Sequence, residues 1–213
     1  MRNDLRFALR TLARSPMFTA VAVLSLALGM GANTSIFSLL DQALDRSLPV
    51  RDPESLIVLH VDDHSPGWTT SDNSQSVFSY PMYQDLRDRN AVFSGVVARS
   101  GAPVSISWNG QTERAHAEIV SGNFFQVLGV PALLGRTLTA EDDGAPGAHP
   151  VVMLGYDYWV RRFGADPGIV SQKVVINGHP MIVIGVTSMR FRGVLSGENP
   201  EVLVPIAMKR EVN

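Results

Sequence analysis

The chain has 213 residues, with 18 basic against 20 acidic side chains and no cysteine. That balance gives no electrostatic reason to expect a nucleic-acid partner. Without cysteine there can be no disulfide framework, thiol chemistry or thiolate metal site.

Residues 2–14 predict an amphipathic helix, with Arg2, Arg6, Arg10 and Arg14 four apart and Leu5, Ala8, Leu9 and Leu12 on the adjoining face. A helix of this kind lies in the membrane interface, so residues 1–15 form a first, interfacial segment. Residues 16–40 then run without one charged side chain. As a helix this run reaches roughly 36 Å, against roughly 30 Å of hydrocarbon in a bilayer. It can span. Arginine dominates before the span, while Asp41, Asp45, Asp52 and Glu54 enter after it. Basic excess marks the cytoplasmic side, which predicts a cytoplasmic N-terminus and an exported remainder carrying 14 basic and 19 acidic residues.

A cleaved signal peptide competes with a retained anchor, since it also has a basic start and an apolar run. Ala32 could precede a cleavage, but Met30 stands where a small residue is wanted, and hydrophobicity resumes at Ile36, Phe37, Leu39 and Leu40. The length of the run favours the anchor. Within it Ser25, Gly29 and Asn33 recur every fourth residue, forming either a packing stripe for another helix or an incidental feature of a lipid-facing one. Residues 36–44 keep the helical pattern, so span and stalk together occupy residues 16–48 until Pro49 and Pro53 stop them.

Residues 49–213 mix strands and helices without βαβ alternation, which predicts an α+β domain. Residues 56–61 (LIVLHV) predict a buried strand, and the polar stretch 62–76 an exposed loop. Ser79 caps a helix to about Arg89 whose inner face is Met82, Tyr83 and Leu86. Asn109-Gly110 and Asn177-Gly178 each lie between two segments, 104–108 and 111–120 in the first case and 173–176 and 180–186 in the second. Asn-Gly supplies the positive φ angles of a type I′ turn, so both are hairpins. A short helix near 123–128, a loop at 141–150, a strand at 151–154, a helix at 156–163 and a strand at 202–205 complete the pattern. Trp159 and Phe163, four apart on a helix, face the core together.

Candidates for chemistry do not accumulate. There is no phosphate loop, and Gly29-Met30-Gly31 lies inside the span rather than between a strand and a helix. His60 and His64 have the spacing of a helical zinc pair, but a strand and a loop remove its geometric meaning. Glu141, Asp142 and Asp143 before Gly144 lack the alternating ligands and closing glutamate of an EF-hand loop. His116, His149 and His179 have no recognisable acid partner, and no nucleophile elbow occurs. Trp108, Phe124, Phe125, Trp159 and Phe191 read as core anchors, with Trp68 exposed in the long loop. No catalytic residue, cofactor or metal is therefore expected.

The leader and span, followed by DQALDRSLPVRDPESLIVL, FSYPMYQDLRDRNAVFSGVVA, VSGNFFQVLGVPALLGRTLTAEDD and VVMLGYDYWVRRFGADPGIVSQKVVINGHPMIVIGV, resemble the N-terminal part of a MacB/FtsX-type ABC transporter permease. The likeness is to the MacB-like periplasmic core domain, most closely in orphan duplicated permeases, and covers nearly the whole chain. It implies a periplasmic domain of two α+β lobes on a stalk, in the bacterial inner membrane, with a cytoplasmic ATPase driving the membrane helices. It also implies a homodimer in a full-length context, and brings no catalytic residue. Where a full permease has three more spans, this sequence ends, implying a truncated product or a short protein working with a separate permease. The alternatives are a free-standing anchored binding or chaperone-like domain and a secreted enzyme.

Overall fold

The computed structural model describes residues 14–44, 48–59, 78–195 and 199–212. It divides into two compact units, Met1–Ser47 and Leu48–Asn213. In the first, helix α1 (Pro16–Leu44) starts on a proline, whose fixed φ and missing N–H suit a first helical turn. Its apolar window Pro16–Ser38 has 0% of its residues buried, and Phe18, Leu24, Leu28 and Phe37 are all exposed. A helix that is apolar all round is soluble only when lipid or other helices cover it. The helix continues past this window to Leu44. The helix expected at residues 2–14 lies, save Arg14, outside the described residues.

The second unit holds α2 (Tyr80–Arg89), β1 (Arg99–Trp108), β2 (Gln111–Val120), α3 (Phe124–Leu128), β3 (Ala132–Gly135), β4 (Val151–Leu154), α4 (Tyr156–Phe163), β5 (Lys173–Ile176), β6 (His179–Thr187), β7 (Val202–Pro205) and α5 (Lys209–Val212). Both Asn-Gly turns have positive φ at both central residues, 49° and 76° at Asn109-Gly110 and 47° and 86° at Asn177-Gly178. That geometry pins the register, pairing Trp108 with Gln111 and Ile176 with His179.

The strand pairings close on themselves. β1 pairs antiparallel with β2, β2 parallel with β7, β7 antiparallel with β4, β4 parallel with β6, β6 antiparallel with β5, and β5 antiparallel with β1. β6 is long enough to hold β5 through residues 179–182 and β3 through residues 185–187. A closed ring has no unpaired edge to protect, which leaves the short β3 as the outer strand.

Side chains alternate between the two faces of this ring. Val152, Leu154, Val202, Val204, Ile119, Val104, Val174 and Val183 gather in one cluster with Tyr158, Trp159 and Phe163 of α4. The residues between them, Met153, Leu203 and Ile184, join a second cluster with Phe124, Phe125 and Leu128 of α3 and with Phe191. β4 and β7 are thus buried on both faces, which is why VVML and VLVP are continuous apolar runs. The α+β class is as expected. Where the resemblance implies two lobes, the described residues show one sheet with an apolar cluster on each face.

Three local expectations change. Residues 56–59 form no strand, and Ile57 and Val58 are 69% and 67% exposed, because the ring is completed by other strands. His60 and Val61, like the predicted loop 62–76, lie outside the described residues. On α2, Met82 is exposed and Tyr83 is the buried residue, since this short helix buries one ring whose hydroxyl reaches Asn123 Oδ1 at 3.2 Å. β3 was not foreseen, because four residues after Pro131 carry too short a pattern to read.

Candidate functional site

Ser25, Gly29 and Asn33 lie four apart along α1 and are exposed, and a Cβ added at Gly29 meets nothing within 4 Å. The spacing puts the three on one face of the helix. His60, His64 and Trp68 fall outside the described residues. His116, His149 and His179 are not brought together into a metal set, and among the described residues no three His, Asp or Glu side chains converge on one point. Trp108, Phe124, Phe125, Trp159 and Phe191 serve packing: Trp108 meets Phe163 edge-on at 5.0 Å, and Phe125 lies 5.8 Å from Phe191.

The acidic run is used for structure. Asp142 closes a capping box, accepting the Thr139 N–H at 2.9 Å, and accepts from the two terminal guanidinium nitrogens of Arg136 at 2.6 and 2.8 Å. Burial pushes its carboxyl up, but Arg136 and the Thr139 donors outweigh this and hold it below the ordinary value. Asp143 has no such cation in contact. It accepts the Gly122 N–H at 3.2 Å and the Ala207 N–H at 2.8 Å, and burial raises its pKa. Gly122 permits this joint, since a Cβ there would stand 2.4 Å from the Thr139 carbonyl oxygen.

A polar network fixes α4 against β2. Arg162 donates to the Gln111 side chain and carbonyl at 2.9 and 3.1 Å and pairs with Glu113 at 3.4 Å. Arg161 pairs with Glu201, whose other oxygen accepts the His116 N–H at 2.8 Å. The Tyr158 hydroxyl is buried near Glu113, and burial together with that carboxylate raises its pKa. Arg99 and Glu118 pair at 2.5 Å, with the Glu118 side chain 1% exposed. These groups face one another in ion pairs and backbone bonds, an arrangement that orients elements rather than polarising a substrate.

The apolar tract Leu56-Ile57-Val58 is solvent-facing and makes no strand ladder with any described residue, an exposure its sequence does not signal. A continuous apolar run signals burial but not by what.

Together these elements define the class: an α+β domain carried behind a helix long and apolar enough to cross a membrane. The family model of the MacB-like periplasmic core domain matches residues 19–213, and the chain belongs to that family. The family is that of a transporter permease's periplasmic domain rather than of an enzyme. A search of curated proteins finds no match. Among solved structures the chain is similar to the periplasmic region of MacB from Actinobacillus actinomycetemcomitans, with 20% identity over 59% of this chain and 53% of that one and a TM-score of 0.49. It is also similar to the extracellular domain of the noncanonic ABC-type transporter YknZ from Gram-positive bacteria, with 18% identity over 54% of this chain and 56% of that one and a TM-score of 0.44. The chain spans about half the length of these solved regions.

Proposed function

We propose that the chain is a membrane-anchored periplasmic module of an ABC transporter permease of the MacB/FtsX type, coupling membrane-helix motion to the periplasm or contacting the exported substrate. α1 crosses the bacterial inner membrane once with the N-terminus cytoplasmic, and the barrel unit lies outside. The observation that carries the reading is the family match running unbroken from within the apolar helix through the barrel, residues 19–213. One apolar helix by itself encloses no polar path for a solute, so transport requires further helices beside α1. Its partners are the lipid bilayer, an ABC ATPase subunit, further permease helices packed on Ser25, Gly29 and Asn33, and in a full-length context a second copy.

The test is reconstitution of the full chain in lipid nanodiscs with a MacB-type permease and its ABC ATPase from the same cells. Stable association with the ATPase complex and an altered hydrolysis rate, both weakened by Gly29→Leu, are the expected results. An ATPase complex that assembles and turns over identically with and without the chain overturns the reading. The free-standing alternative draws on Leu48–Asn213 being one compact unit with its own core. It predicts that this unit binds a ligand with no ATPase present.

A further inference from the structure

We propose that Asn177 is a clasp through which helix α5 acts on strand β1, at the seam where β5 closes the barrel. The proposal rests on the coupling reading for its purpose, but the clasp itself is measurable without any ATPase. Asn177 is the first central residue of the β5–β6 turn, and its φ of 47° is one that asparagine tolerates better than most side chains. Turn chemistry alone explains the choice of residue at Asn109, which has φ 49° in the other hairpin and makes no side-chain hydrogen bond with a described residue. It does not explain what Asn177 does.

The Asn177 N–H donates to the Ser105 carbonyl at 2.9 Å, and its Oδ1 accepts from the Ser105 N–H at 2.8 Å and the Ser105 hydroxyl at 3.1 Å. Its Nδ2 donates to the Val212 carbonyl at 2.5 Å. One carboxamide therefore joins β1 to the last turn of α5. The β1–β5 ladder that it extends contains only the pairs Ile106 with Ile176 and Ser107 with Val175. Val212 and Met208 are themselves part of the apolar cluster that holds Val104 of β1 and Val174 of β5. Displacement of α5 thus pulls on a short seam through a group that holds both sides.

The experiment is residue-resolved amide hydrogen exchange on the full chain in nanodiscs. In the wild-type background Val212→Ala, which loosens α5, raises exchange at the Ser105 and Asn177 amides by about tenfold, the effect of roughly one net hydrogen bond, while the β2–β7 ladder is unchanged. Asn177→Asp keeps an acceptor for the Ser105 N–H but has no donor for Val212. In that background Val212→Ala no longer moves Ser105. An unchanged Ser105 amide in Val212→Ala, or full transmission through Asn177→Asp, overturns the clasp. Should Val212→Ala open the whole barrel, Asn177→Asp alone decides: faster exchange over Lys209–Val212 with Ser105 still protected supports it, and wild-type exchange over α5 sinks it. A clasp that passes while the chain leaves its ATPase untouched removes the purpose and not the clasp.

Discussion

Asp142 and Asp143 are adjacent in the chain and opposite in electrostatics. Asp142 sits below its ordinary pKa, so its stabilising contribution is present above about 3.9 and is lost as pH falls through its lowered folded value. Asp143 sits above, so it favours the fold most below about 3.9, and that contribution is lost as pH rises through its raised folded value. A carboxyl-carbon NMR titration of the domain should place the Asp143 midpoint above about 3.9 and the Asp142 midpoint below it; the reverse order would remove both assignments. Asp142→Asn should cost about 2 kcal/mol at pH 7 by urea denaturation, with the loss shrinking in acid below the ordinary carboxylate range. The acidic run was legible as not being an EF-hand. Its two separate jobs were not, because the partners Arg136, Gly122 and Ala207 come from three different segments.

The elements divide by how local their causes are. Both hairpins, strands β4 and β7 and helix α4 could be read directly, since Asn-Gly turns and short apolar runs carry their own signals. Trp159 and Phe163 face the core as their spacing demands, with Trp159 Nε1 also donating to the Asp166 carbonyl at 2.9 Å. Replacing Phe163, 6% exposed and packed on both Trp108 and Tyr158, with alanine should cost about 3–5 kcal/mol in chemical denaturation. The tract at residues 56–58 is the contrasting case, an apolar run whose strand pattern finds no ladder partner. The double change Ile57→Lys and Val58→Lys should leave the domain's stability within about 0.5 kcal/mol, as expected for exposed positions. A loss of several kcal/mol would show that the tract is covered in solution.

At the scale of the molecule, the proposed anchor sets what the barrel unit can do, because a helix of this length without charged residues is long and apolar enough to cross a bilayer. Alkaline carbonate extraction should leave the intact polypeptide in the membrane fraction; its release would remove the span. The chain has no cysteine, so a single Gln172→Cys gives an unambiguous reporter at an exposed turn. In intact cells a maleimide that passes the outer membrane but not the inner one should label it, and labelling only after the inner membrane is broken would reverse the proposed topology.

Sequence by itself determined the membrane-length helix, the two tight hairpins, the α+β class and the family, since each depends on local composition, φ preference or the order of long blocks. Tertiary structure alone decided that six strands close into a ring, that Asp143 and Asn177 bridge distant segments, and that residues 56–59 stay outside it. These depend on which strands meet across the chain, and side-chain periodicity gives the face of a strand without naming its neighbour.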